Sequence, residues 1–422
     1  MGTVHLYYKH PAAYGARKKS KWWALVFVLS FLLLVTVGYV YFAMNSEIPL
    51  GEVNFNNELI APVESLEIAW PEEGQAAIGT LSDGVLARSD NEEQPRPIAS
   101  LTKVITALAV LEKAPMQPGE TGMVLTFDVE DEESYRNYVS KYGTVTNVVA
   151  GEQINQYQAL QSMLLPSSNN ISDSLVRRVF GSMEEYKTYA NQMLQRFGLA
   201  KTHVDDASGF SPLTVSTPSE MIVVGQKALS HPIIAEIVAQ TEAEIPLSGV
   251  VPNYNGLLKV EGVTGIKPGV TDEAGWCLLF SAKQQTGVNT EVSFIGVLLG
   301  EDDPNELLVA SENLLTLAKT NLRQVEVVSK DESIGTYSTP WGETVELITQ
   351  EELTTSSITG SAPTPVYKPT DSTPFPLSDQ ALGSVHLEHD PSKSVKVVTK
   401  SKITEPSLLW RLKRPLVRLG II

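Results

Sequence analysis

The chain opens with a basic segment and then an almost unbroken apolar run from Trp22 to Ala43, WWALVFVLSFLLLVTVGYVYFA. At about 1.5 Å per residue this run reaches roughly 33 Å, enough for the hydrocarbon core of a bilayer. Trp22, Trp23, Tyr39 and Tyr41 sit at its two ends, where interfacial aromatic belts belong. Residues 44–67 are polar and weakly patterned and read as a stalk. From Gln75 the pattern tightens. Gln75–Gly79 and Gly84–Arg88 read as short strands around a Ser82-Asp83-Gly84 turn. Apolar positions at helical spacing then predict helices over Ser100–Lys113, Asn155–Leu165, Met183–Phe197 and Pro218–Leu229, while residues 128–150 are polar and mixed. Val263–Ser281 contains two strands around a turn at Asp272-Glu273-Ala274-Gly275. Glu291–Gly300 is a further strand and Asn305–Lys319 a closing helix. Strands, then helices, then strands predict an α+β domain over 68–320, an antiparallel sheet covered by helices. Beyond it, short strands alone (QVEVVS, GTYSTP, GETVELIT, SVHLEH, VKVVTK) predict a small all-β domain over 321–400, interrupted by a Pro/Ser/Thr-rich loop at 356–376. Residues 401–422 end in SLLWRLKRPLVRLGII, a basic amphipathic segment suited to a membrane interface, with Pro415 expected to kink it. The alternative there is a basic, partly ordered tail.

Charge sharpens this division. The 422 residues carry a net charge of -17, yet residues 1–21 hold five basic side chains and no acid, and residues 393–422 hold eight basic side chains and one acid. Two basic ends flank an acidic body, and basic ends suit anionic lipid headgroups. Arg17, Lys18, Lys19 and Lys21 immediately before the apolar run place the N-terminus in the cytoplasm and the body outside. A cleaved secretion signal is the competing reading. The run is long for one and no small-x-small site follows it, so an uncleaved anchor, a single N-terminal transmembrane helix, is preferred. The acidity argues against a nucleic-acid partner. A single cysteine, Cys277, excludes an intrachain disulfide framework or thiolate metal cluster.

The chemistry begins at Ser100, the only serine in the chain with lysine at the third position after it, Lys103. Residues three apart share a helix face, so the amine reaches the hydroxyl. A desolvated lysine whose pKa is depressed can take the serine proton. Taken alone, the pair reads more readily as a helix cap and a solvated lysine. It is followed, after Pro166, by Ser167-Ser168-Asn169 between two helices, and much later by Lys267-Pro268-Gly269 on a strand.

SLTK, SSN and KPG in this order resemble the penicillin-recognising serine enzymes, and more closely the low-molecular-weight penicillin-binding proteins, the serine-type D-alanyl-D-alanine carboxypeptidases. RPIASLTKVITAL resembles their nucleophile segment, GEQINQYQALQSMLLPSSNN their second-motif segment, FGLAKTHVDDASGFSPLTVSTPSEM the loop and helix that follow, and GVTGIKPGVTDEAGWCLLFSA their third-motif hairpin. The resemblance covers about residues 68–320. It implies a β-lactamase/transpeptidase-like catalytic domain with a small β domain after it, and the C-terminal amphipathic segment echoes the family's membrane anchor. It also implies a reaction, removal of the terminal D-Ala from peptidoglycan stem peptides through a serine acyl-enzyme, with β-lactams as covalent inhibitors and no metal or cofactor. Carried over by position, Ser100 is the nucleophile and Lys103 its base. Ser167 shuttles the proton to the leaving group, Asn169 bonds the substrate backbone, and Lys267 holds the Ser167 hydroxyl and the substrate carboxylate. Gly269, Val270 and Thr271 line the substrate strand, with the N–H groups of Ser100 and Val270 as oxyanion hole.

One position departs from the family pattern: Pro268 stands where the third motif carries threonine. Pro268 and Val270 share strand parity, so no ladder bond need be lost. The hydroxyl is the larger loss, because a hydrogen bond to a charged group contributes about 1.5–3 kcal/mol. Thr264 and Thr271 are candidates to compensate. A slower enzyme is expected, with a catalytically silent wall-binding ectodomain or a D,D-endopeptidase as alternatives. No Ser-His-Asp arrangement is recognisable among the six histidines. His386 and His389 fall on opposite strand faces, Asp205 and Asp206 read as turn residues near Gly209, and Cys277 and Trp276 as core or site wall.

Overall fold

The computed structural model describes residues 21–56, 68–91, 94–287, 290–358, 365–370, 381–387 and 390–421. The basic residues 1–20, most of the stalk after 56, and His389 lie outside the described residues.

The centre of the molecule is a five-stranded antiparallel sheet in the order Val263–Thr271, Gly275–Gly287, Thr290–Glu301, Gln75–Thr80, Gly84–Arg88. Both faces are covered, so its strands read as continuous apolar runs rather than alternating ones. One face packs the helix Pro304–Asn321 over Ile78, Leu278, Phe280, Phe294 and Leu298. The other face carries the larger core, with Ile266, Leu279, Ile295 and Val297 against helices that surround Thr102–Lys113. That central helix is buried nearly all round, from Thr102 to Leu111. Thr102 Oγ1 donates to the Ala99 carbonyl (2.7 Å), and Thr106 Oγ1 donates to the Ala207 carbonyl (2.8 Å), which fixes both ends of its first turns.

Three helices go beyond those the pattern predicts, Val129–Ser140, Asn169–Phe180 and the short Pro232–Val238. Val129–Ser140 carries little apolar periodicity and starts from a capping box in which Asp128 accepts from the Asp131 amide and Asp131 from the Asp128 amide. It is held to the second extra helix, Asn169–Phe180, by ion pairs of Arg177 and Arg178 with Asp128 and Asp131, including Arg177 to Asp131 at 2.5 Å. Charge pairing ties the two helices together, while Ile171, Leu175 and Val176 of the second are buried in the core.

The C-terminal part is the expected all-β unit, with a six-stranded sheet ordered Glu52–Phe55, Ser333–Ser338, Thr344–Thr349, Asp390–Thr399, Gly383–Leu387, Pro365–Pro369, and a separate pair Arg323–Val328 with Leu353–Ser357. Two expectations are corrected. The stretch read as stalk contributes Glu52–Phe55 as an edge strand paired with Ser333–Ser338, because Val53 and Phe55 face one side and Gly335 leaves room for the Asn54 carbonyl. The stretch read as a loop at 356–376 contains the edge strand Pro365–Pro369, whose prolines an edge tolerates.

Asp83, at the tip of a catalytic-domain hairpin, ties the two parts together. It accepts from Thr80 (2.9 Å) and Ser82 (2.6 Å) locally, from Thr355 (2.8 Å) and Ser356 (2.6 Å) across the boundary, and from the Lys393 ammonium.

The helix Lys21–Asn45 leaves its apolar side chains uncovered by protein, and among the described residues it is long and apolar enough to cross a membrane. The C-terminal helix Leu408–Arg418 runs through Pro415 and packs against it. The Tyr39 hydroxyl donates to the Leu412 carbonyl, Arg411 donates to the Met44 carbonyl (3.5 Å), and Trp341 meets Trp410 edge-on at 5.8 Å.

Candidate active site

Ser100 sits in a short 3-10 turn, Ala99–Leu101, that feeds directly into the central helix. Ala99 adopts φ 45°, a left-handed conformation uncommon for a side-chain-bearing residue, and the turn is wedged between two close backbone approaches. On one side Gly209 packs so tightly that an added Cβ would stand 1.7 Å from the Ala99 carbonyl oxygen. On the other, a Cβ on Gly269 would stand 2.8 Å from the Ser100 amide nitrogen. Two glycines therefore clamp the nucleophile turn between the 205–214 loop and the edge strand of the sheet.

Lys103 is fully buried and donates to Ser100 Oγ (2.9 Å), Asn169 Oδ1 (2.7 Å) and the Ser208 carbonyl (2.7 Å). All three protons of its ammonium are thereby directed, and its position relative to the hydroxyl is fixed. Burial depresses its pKa to about 7, against an upward pull from the carboxylates of Asp206 and Asp173. Its free amine is thus available near neutral pH, which a base for Ser100 needs.

The supports of Lys103 form a buried polar cluster. Asp206 accepts from the Ser208 amide (3.2 Å), Ser208 Oγ (2.7 Å), the Phe210 amide (2.8 Å) and Thr214 Oγ1 (2.7 Å), and so builds the loop that presents the Ser208 carbonyl. Ser208 Oγ also meets the Tyr138 hydroxyl at 3.3 Å. Asp173 lies one helical turn beyond Asn169 and accepts from Ser134 (2.9 Å), and burial pushes its carboxyl up to about 6. The helix Val129–Ser140, which is poor in apolar periodicity, thus supplies Tyr138 and Ser134. Their signal was absent from the hydrophobic pattern, and no motif marks Asp173.

Lys267 is also fully buried, on the edge strand. Its ammonium donates to the Pro268 carbonyl (3.2 Å), and burial together with the nearby Lys103 charge drives its pKa well below the usual value. Among the described residues no carboxylate pairs with it. An anion placed beside this amine would favour its protonated form. The edge position of Val263–Thr271 accommodates Pro268, which lies opposite Leu278 in register.

The structure therefore brings together Ser100, Lys103, Asn169, Lys267 and Gly269. Ser167 follows Pro166 at φ 69° and is buried, but its hydroxyl bonds neither Ser100, Lys103 nor Lys267. Asn169 spends its Oδ1 on Lys103, which leaves its Nδ2 to donate. Of the two threonines considered as substitutes for the missing hydroxyl, one is paired side chain to side chain and the other keeps its own proton to donate. Thr264 Oγ1 pairs with Ser281 Oγ (2.8 Å), and Thr271 Oγ1 accepts from the Ala274 amide (3.1 Å) inside the hairpin turn. Val270 is half-exposed beyond Gly269, and Cys277 is a buried core thiol pushed up to about 12.

Comparison with known proteins agrees with this centre. The sequence profile of the D-alanyl-D-alanine carboxypeptidase family, Peptidase S11, matches residues 75–302. The chain is 27% identical over 270 residues to the D-alanyl-D-alanine carboxypeptidase DacC of Escherichia coli, covering 63% of this chain and 66% of that protein. It is 23% identical over 344 residues to DacF of Bacillus subtilis, covering 78% and 85%. Among solved structures, penicillin-binding protein 5 of Haemophilus influenzae superposes with a TM-score of 0.60 at 20% identity, over 82% of this chain and all of that one. DacD of Francisella tularensis superposes with a TM-score of 0.61 at 17% identity, over 82% and 96%. The match spans more than half of the chain and includes all three motifs that meet at the cleft: this protein belongs to the D-alanyl-D-alanine carboxypeptidase family.

Proposed function

We propose that this protein is a membrane-anchored carboxypeptidase that removes the terminal D-Ala from peptidoglycan stem peptides. The observation that carries this reading is the Lys103 amine, poised near neutrality and 2.9 Å from Ser100 Oγ. Ser100 attacks the carbonyl of the penultimate residue while Lys103 takes its proton. The oxyanion that forms is met by the N–H groups of Ser100 and Val270, preorganised by the Gly269 contact. Lys267 draws the substrate's terminal carboxylate into the cleft, and Asn169 donates from Nδ2 to the substrate backbone. Ser167, brought into reach as substrate fills the cleft, returns the proton to the departing D-Ala. Water then releases the shortened peptide from Ser100. β-Lactams would acylate the same oxygen.

The apolar helix is read as an uncleaved signal anchor with a cytoplasmic N-terminus, and the basic amphipathic helix Leu408–Arg418 as a second contact with lipid at the outer face. Labelled penicillin is the direct test. The wild type should acquire the label at Ser100 and release D-alanine from a pentapeptide, and a protein that does neither is no carboxypeptidase.

A second reading, a wall-binding ectodomain with little turnover, is favoured by one observation. Pro268 supplies no hydroxyl for the substrate carboxylate, and Thr264 Oγ1 is paired with Ser281 Oγ. Binding of muropeptides without D-alanine release would select it.

A further inference from the structure

Apolar side chains on the segments packed around Ser100 are left uncovered by the fold. Leu213 is 64% exposed on the loop that Gly209 presses against Ala99, and Val270 is 47% exposed next to Gly269. Two exposed tyrosines lie on stretches hydrogen-bonded to the segment that carries Ser167 and Asn169. Tyr142 is fully exposed (100%) and directly precedes Gly143, whose absent side chain leaves room for Asn169 Nδ2; the Asn169 amide donates to the Thr144 carbonyl (2.8 Å). Tyr254 is 53% exposed, and its amide donates to the carbonyl of Leu165 (3.1 Å), two positions before Ser167.

Single exposed apolar side chains are common and need no explanation. Tyr142 differs, because it holds φ 58°, a left-handed conformation that is unfavourable for a side-chain-bearing residue, while its ring contributes no packing. The fold alone would be better served by glycine or asparagine at this turn.

We propose that Tyr142 and Tyr254 form a saccharide-binding rim that engages the glycan strand to which the stem peptide is attached. The proposal rests on the carboxypeptidase reading for the identity of the polymer. With the peptide's carboxyl end drawn in toward Lys267, its other end, joined to sugar, emerges over this rim. A tyrosine ring presents a flat apolar face with a polar hydroxyl at its edge. A pyranose presents a matching face of C–H bonds with hydroxyls around it. Two such rings on stretches bonded to the 165–169 segment would lay a strand across the cleft and raise the local concentration of stems.

The test uses the full chain in detergent micelles and the Tyr142→Ser/Tyr254→Ser double variant. D-alanine release is measured from a free pentapeptide and from uncrosslinked glycan strands bearing the same pentapeptide. The ratio of kcat/KM, strand over free peptide, should fall about tenfold through KM, and the Tyr142→Phe/Tyr254→Phe variant should keep it. An unchanged ratio, or equal losses on both substrates, would overturn the proposal. A second arm places the tyrosine changes in a Ser100→Ala background and measures co-sedimentation with glycan strands stripped of their peptides. Binding should drop with the tyrosines, and retention only of strands that keep their peptides would assign the rim to peptide instead. That arm decides the rim even if the wild type releases no D-alanine.

Discussion

The α-carbon of Gly269 faces the amide nitrogen of Ser100 with no room for a methyl group between them, so the third-motif strand sets the position of the nucleophile's own N–H. A Gly269→Ala change should push that amide away from the oxyanion. Loss of one such donor typically costs about a hundred- to a thousandfold in rate. Penicillin acylation should fall by that order while far-UV circular dichroism stays native.

The pH dependence follows from Lys103. Its pKa is lowered to about 7, and with the free amine as the proposed base the acylation rate should climb about tenfold per pH unit below 7 and level off above it. The carboxylate of Asp173 raises the Lys103 pKa, so Asp173→Asn should move the midpoint of this profile toward lower pH. Stopped-flow acylation between pH 5 and 9 reads both, and Lys103→Met should abolish the reaction across the whole range. Movement of the Asp173→Asn midpoint to higher pH would contradict the electrostatic assignment.

Pro268→Thr restores a hydroxyl beside Lys267. Thr264 is paired with Ser281, and Thr271 sits in the hairpin turn where it accepts from the Ala274 amide. D-alanine release should rise roughly ten- to a hundredfold, the equivalent of about 1.5–3 kcal/mol for a bond to a charged group. Steady-state kinetics on a pentapeptide will measure the gain.

Asp83 should behave as a stability residue with no part in the chemistry. Its hydrogen bonds from Lys393, Ser356, Ser82 and Thr355 outweigh burial and hold its carboxyl far below the usual range. A carboxyl depressed in the fold stabilises above its unfolded pKa, near 4, and that stability is lost as pH falls further. Asp83→Asn should cost about 3 kcal/mol at neutral pH, as expected when one partner of a buried ion pair is removed. The gap between wild type and variant should narrow in acid, as read by denaturant unfolding at pH 7 and pH 3.

Much of this was legible in the chain. SLTKVITALAVLEK announces a buried helix because apolar residues recur at helical spacing, and SxxK, SxN and KxG carry the cleft because their chemistry needs those side chains. What was not legible lacked an apolar signature. VEDEESYRNYVS is a helix held by Arg177 and Arg178, so its stability is electrostatic and arises from residues some forty positions away. Asn169–Phe180 hides its start in the polar SSNN motif, and only its N-terminal residues could be assigned chemistry. Glu52–Phe55 is too short to stand out and becomes a strand only because Ser333–Ser338 offers an edge. The engagement of Thr264 and Thr271, like the anchoring of Lys103 by the Ser208 carbonyl, depends on cross-strand and loop geometry that spacing does not encode.

The bond between the Tyr39 hydroxyl and the Leu412 carbonyl joins positions 373 residues apart. With the Arg411 bond to the Met44 carbonyl and the pairing of Glu52–Phe55 with Ser333–Ser338, it brings the two ends of the chain together. A single protease cut between the two helices would leave the halves joined by these noncovalent contacts taken together. Tension from a bound wall polymer would likewise be shared by two legs, so the cleft would resist swivelling about a lone stem.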